Sequence, residues 1–90
     1  KYAGNYSLTV FPNPATDKIT VNIEAINPSA TKGTLTVFNA IGKEVYYLDI
    51  PRIGSSWEHR IEFDAASAGI YLIKITLDDA VLTRRVVINK

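Results

Sequence analysis

Apolar and polar positions alternate along most of this chain, and the alternation breaks at short clusters of turn-forming residues. Residues 7–11, "SLTVF", open the pattern with β-branched and aromatic side chains. Residues 17–24, "DKITVNIE", place Ile19, Val21 and Ile23 on one side and Lys18, Thr20, Asn22 and Glu24 on the other. A period of two sends successive side chains to opposite faces of a strand. Residues 33–40, "GTLTVFNA", and 43–50, "KEVYYLDI", flank a short turn. Residues 57–63 set Trp57, His59, Ile61 and Phe63 against Glu58, Arg60 and Glu62. "GIYLIKITL" at 69–77 is nearly all apolar, and "AVLTRRVVI" follows at 80–88. The pattern predicts about seven strands, each short and bounded by turn residues. No stretch carries a 3.6-residue period long enough for a stable helix, and "DAASAG" at 64–69 allows one turn at most. Seven short antiparallel strands in 90 residues predict an all-β, immunoglobulin-like sandwich of two stacked sheets. The paired cysteines of antibody domains are absent, so the expectation concerns architecture only.

The punctuation agrees with these boundaries. In "FNAIGKEV", Gly42 stands where a left-handed residue would close a hairpin. Asp78-Asp79 can close another between the last two strands. Pro12, Pro28 and Pro51 fall at strand ends, where a missing N–H costs little. The sharpest mark is Pro12-Asn13-Pro14, between two strand-like runs. Each proline biases the residue before it toward extended geometry, so the segment reads as a rigid corner that stops one strand and starts the next.

A two-residue turn at Asp78-Asp79 has a further consequence. It puts Tyr71, Ile73, Ile75 and Leu77 on one face with Leu82, Arg84, Val86 and Ile88, the expected core side. The opposite face carries Ile70, Leu72, Lys74, Thr76, Val81, Thr83, Arg85 and Val87, more apolar than a solvated face usually is. Either loops and the other sheet cover it, or it is a docking surface. A last strand on a sheet edge would also offer its backbone to a partner.

Composition narrows the function classes. At 90 residues the chain is expected to be a single domain over 1–90, with 1–6 as linker remnant. The net charge of +1 argues against nucleic-acid binding, which needs a concentrated basic surface. There are no cysteines, which excludes disulfides and thiolate metal sites. No apolar run approaches the length of a membrane-spanning helix. The chain does not begin with Met, so it is expected to be part of a longer polypeptide, with any targeting signal upstream.

Catalytic motifs are missing, and no cofactor is expected. His59 shares its face with Trp57, Ile61 and Phe63, the setting of a packed histidine. Glu58 and Glu62 stand four residues apart on one face, about 13 Å, too far for a glycosidase carboxylate pair. Asp78-Asp79 supply too few oxygens for calcium. Ser55, Ser56 and Ser67 have no base placed by any motif. Tyr46, Tyr47, Trp57 and Tyr71 are candidates for stacking on sugars, but adjacent Tyr46 and Tyr47 must face opposite ways.

Four stretches together resemble one family. "LTVFPNPATDKITV" at 8–21 looks like its opening proline-asparagine-proline signature, through Pro12, Asn13 and Pro14. "LTVFNAIGKEV" at 35–45 looks like its central hairpin, with Gly42 in place. "SAGIYLIKI" at 67–75 looks like its Gly-x-Tyr strand, through Gly69, Tyr71 and Lys74. "LTRRVVINK" at 82–90 looks like its basic-then-apolar ending. The family is the type A C-terminal sorting domain of proteins exported by the type IX secretion system of Bacteroidetes. Departures are small: Asn39 where Asp is common, "DAASAG" where Leu-Pro-Ala-Gly is common, and Arg84-Arg85 where Lys is common.

The resemblance implies a transport signal rather than an enzyme. It implies a cargo domain joined to the N-terminal side, passage through the periplasm, recognition by the outer-membrane machinery, and delivery to the cell surface or medium. It also implies removal by a sortase-like protease. On this basis Lys74, Arg84, Arg85, Val86, Val87, Ile88 and Lys90 are the expected recognition residues, and Pro12, Asn13, Pro14, Gly42, Gly69 and Tyr71 the expected fold-shaping ones. The alternative is a non-catalytic immunoglobulin- or fibronectin-like accessory module that binds polysaccharide or acts as a spacer. A domain that self-associates through edge strands is a third option.

Overall fold

A computed structural model describes residues 2–3, 6–25, 33–51, 55–63, 68–77 and 80–89. It contains eight strands: β1 (Tyr2–Ala3), β2 (Tyr6–Phe11), β3 (Lys18–Ala25), β4 (Gly33–Phe38), β5 (Glu44–Ile50), β6 (Ser56–Glu62), β7 (Gly69–Leu77) and β8 (Ala80–Ile88). Seven of them are the strands that the alternation predicts, displaced by a residue or two at some ends. β1 is the addition. The stretch expected as linker instead supplies β1, which pairs with β2, and Tyr6, which is buried in the core. A two-residue strand is too short to leave a periodic signal.

The strands form two antiparallel sheets, ordered β1-β2-β3-β6 and β5-β4-β7-β8. The chain therefore changes sheet between β3 and β4, between β5 and β6, and between β6 and β7. Inward-facing Ile19, Val21 and Ile23 of β3 meet Leu35 and Val37 of β4, Ile73 and Ile75 of β7, and Val86 and Ile88 of β8 in one apolar cluster. The described core contains no buried polar or charged residue. That is the direct product of strict alternation: every other residue could be apolar because its neighbours point to water.

The two open sides of the sandwich close differently. On one side β8 runs close to β2. On the other, the β5 and β6 backbones stay apart and side chains bridge the gap. The Tyr46 hydroxyl and His59 Nε2 are hydrogen-bonded at 2.9 Å, and the His59 ring stacks on Trp57 with centroids 5.6 Å apart. His59 is thus the packed, partnered histidine that its strand face suggested. Tyr46→Phe should lower stability by about 0.5–1.5 kcal/mol, the net worth of one such bond, read as a lower urea midpoint with an unchanged slope.

Candidate recognition strand and its clasp

The Pro12-Asn13-Pro14 corner does more than turn the chain. Both bonds to its prolines, Phe11–Pro12 and Asn13–Pro14, are cis. The corner carries Asn13 and Ala15 alongside the edge of β8 that faces away from β7. The Asn13 side-chain amide donates to the Arg85 carbonyl at 3.0 Å, and its Oδ1 accepts the Val87 N–H at 3.1 Å. The Ala15 N–H then donates to the Val87 carbonyl at 2.8 Å, and the Asn89 N–H donates to the Ala15 carbonyl at 2.7 Å. Four backbone groups of the terminal edge, on alternate residues 85, 87 and 89, are satisfied by a segment more than seventy residues upstream. A carboxamide offers one donor and one acceptor side by side, so it can imitate one rung of a β-ladder. Ala15 completes the imitation as a parallel bridge to Ile88 and is itself buried.

The two glycines expected to shape the fold both have positive φ. Gly42 has φ of +85° in the β4–β5 hairpin, a conformation that a Cβ would strain. Asn39 completes that turn: its Oδ1 accepts the N–H groups of Ile41 at 3.2 Å and Lys43 at 2.9 Å. An Asp there could accept the same bonds, so Asn39 keeps the acceptor that the turn uses. Gly69 opens β7 with φ of +150°. Two residues on, Tyr71 is buried with its ring 5.2 Å from that of Phe63.

The expected recognition residues separate onto two faces. Lys74 and Arg85 are exposed on the outer face of β7 and β8, with half-buried Val87 beside them. Val86 and Ile88 point inward with 0% exposure, so their side chains reach no solvent. Arg84 also lies on the inward side, half-buried at the rim, where its guanidinium donates to the Thr83 carbonyl at 2.7 Å. Lys90 lies outside the described residues, as do Asp78-Asp79 and the "DAAS" segment at 64–67. The residues that sequence reasoning missed are on the other partner of the clasp: Asn13 was expected to shape a corner, and nothing local indicates that β8 is what it holds.

Residues 9–89 match the family described as the secretion system C-terminal sorting domain. The chain belongs to that family. The sorting domain is a C-terminal signal of type IX secretion, which implies an attached N-terminal cargo and export across the outer membrane. No curated protein matches the chain. Among solved structures, the sorting domain is similar to the sulfur carrier protein SoxY from Chlorobium limicola f thiosulfatophilum, at 14% identity and a TM-score of 0.49, covering 100% of this chain and 84% of that one. So distant a likeness carries nothing about function. All of the stretches that carry the family resemblance overlap the matched span, and the clasp lies wholly within it.

The four candidate aromatics for sugar stacking do not share one exposed face. Tyr71 is buried, Tyr46 and Trp57 are half-buried between the sheets, and Tyr47 is exposed on the other side of β5. Tyr47 has a different engagement. Its hydroxyl donates to Asp49 Oδ1 at 2.9 Å. That bond, then partial desolvation, then the charges of Asp49 and Glu44 hold the phenol above its ordinary value of 10.0. A raised pKa favours the neutral phenol. Its stabilising contribution is therefore fully present below pH 10.0 and is lost as pH rises through the raised value. Asp49→Asn should move the Tyr47 titration back toward 10.0, followed by the ultraviolet absorbance of the phenolate.

Proposed function

We propose that this domain acts as a folded, non-catalytic address. An N-terminal cargo carries it into the periplasm, the outer-membrane machinery docks on its β7–β8 sheet face, and a sortase-like protease then removes it. The observation that carries the reading is the family match over residues 9–89. The fold is compatible with it in two respects. A sandwich without cysteines needs no disulfide formation to fold in the periplasm. The clasp also holds the terminal strand in one register, so Lys74, Arg85 and Val87 present a constant surface. Val86 and Ile88 contribute by anchoring that strand from inside, and Arg84 by fixing its rim.

A fusion tests the reading. Residues 1–90 are placed behind a signal peptide and an inert fluorescent protein in a host with type IX machinery, and export is compared with that of a machinery-deficient host. Machinery-dependent appearance of the reporter outside the cell is the expected result. A folded reporter retained in the periplasm of both hosts would instead favour the accessory-module reading. The place to look for a ligand would then be the cavity of about 560 Å³ bordered by Ile41, Val45, Tyr46, Phe63 and Tyr71.

A further inference from the structure

The two outer faces of the sandwich differ in chemistry. Across β2, β3 and β6 the outward rows read Phe11–Thr20–Arg60, Thr9–Asn22–Glu58 and Ser7–Glu24–Ser56, an ordinary solvated surface. Across β5, β4, β7 and β8 they read Glu44–Phe38–Leu72–Arg85, Tyr47–Thr36–Lys74–Thr83, Asp49–Thr34–Thr76–Val81 and Ile70–Val87. Leu72 is 41% exposed and Ile70 47%, with Val45 and Ile41 exposed beside them at the hairpin end. Among the described residues, nothing covers this face.

Its charges are arranged as unusually as its apolar groups. β4, β7 and β8 contain no carboxylate, and Lys74 and Arg85 are their only outward-facing charges. The acids of the sheet, Glu44 and Asp49, are on β5 at the far edge, and Asp49 is engaged by Tyr47. Among the described residues no ion pair forms to Lys74 or Arg85. Lys74 stands between Thr36 and Thr83, and Arg85 beside Leu72, and both are tolerated while water reaches them. Covering the patch would strip that water, and an unpaired cation would then oppose binding. The occupant must therefore bring carboxylates to those two positions.

We infer that the outer face of the β5-β4-β7-β8 sheet docks a folded protein partner whose contact surface is apolar and carries carboxylates opposite Lys74 and Arg85. The inference deepens the sorting reading and rests on it. A second copy of this chain is a poor occupant. Its outer face across β2, β3 and β6 offers Glu24, Glu58 and Glu62, but Phe11 is its one exposed large apolar side chain among the described residues and it also presents Lys18 and Arg60.

The test uses the reporter fusion of the whole chain in the type IX host, with four variants. Leu72→Asp and the double variant K74E/R85E should each reduce export at least about tenfold, since like charges set against each other at an interface strongly disfavour it. K74R/R85K, which keeps both charges, should export better than K74E/R85E, and Thr9→Asp, on the opposite outer face, should stay within about twofold of the unmodified fusion, as changes away from a contact do. Thermal melts of each purified domain show that it is folded, and Leu72→Ser replaces Leu72→Asp if the latter unfolds. Full export of folded K74E/R85E and of the folded Leu72 variant would overturn the assignment of this face. Failure of the unmodified fusion would overturn the sorting reading itself, and this inference with it. Sedimentation supplies the last arm: self-association abolished by the Leu72 variant would give the face to a second copy and overturn the acidic partner.

Discussion

Replacing Asn13 with Ala should loosen the terminal strand and lower the midpoint of thermal unfolding. The substitution removes the donor to the Arg85 carbonyl and the acceptor for the Val87 N–H. Each exposed bond of this kind contributes about 0.5–1.5 kcal/mol net, and water can take over both β8 groups, so the loss lies near 1–2 kcal/mol. For a chain of this size that corresponds to a fall of roughly 5–15 °C. Amide exchange makes the test local. The Val87 N–H should exchange faster than in the unmodified domain, while amides in the centre of β3 and β4 should change only as much as global stability does. Asn13→Asp sharpens the argument. A carboxylate keeps an acceptor for the Val87 N–H but sets oxygen against the oxygen of Arg85, so it should do no better than Ala. An unchanged midpoint together with unchanged exchange at Val87 would mean that the corner merely lies beside β8 without holding it.

Ile88→Ala should cost more, because it opens a hole in the core. Ile88 has 0% exposure, pairs with Gly69 on β7 and faces Ala15 of the clasp. Truncating a fully buried Ile to Ala costs about 2–5 kcal/mol, whereas Ile88→Val should cost only about 0.5–1.5. Against a total stability of about 5–15 kcal/mol, the larger loss leaves a population prone to unfolding. Chemical denaturation measures the cost directly. Export of the fusion then separates two roles that the residues of β8 share. Ile88→Ala should lose export in step with lost folding and regain it at lower temperature. K74E/R85E should lose export with its folding intact. An Ile88→Ala domain that keeps its full stability would remove the core role assigned to this residue.

Much of the fold is legible along the chain, for a local reason. In a strand the side chain's direction is set by its parity, so Ile19, Val21 and Ile23 declare their face without reference to any partner. The same rule predicts correctly that Tyr46 and Tyr47 diverge, that Tyr71, Ile73, Ile75 and Leu77 point inward, and that His59 lies with Trp57. It also puts Lys74 and Arg85 on one face and Arg84 on the other. Gly42 is equally readable, because a left-handed turn residue follows from the turn itself.

Partnership across the chain is another matter. Nothing in β3 says that its second neighbour is β6, and nothing in β4 says that it pairs with β7. Many strands with one apolar face are interchangeable as neighbours until the whole core is packed. Asn13 is the clearest case. Its sequence context reads as a corner, and its two partners on β8 appear only once the sheets are stacked and the edges lie side by side. By itself, then, the sequence determined the strands, their inward and outward faces, the hairpin turn and the family motifs, since all of these depend on a residue and its near neighbours. Only the tertiary structure decided the order of strands in each sheet, the inclusion of β1, and the closure of the β8 edge by Asn13 and Ala15, since these depend on which surfaces survive packing to meet at a distance.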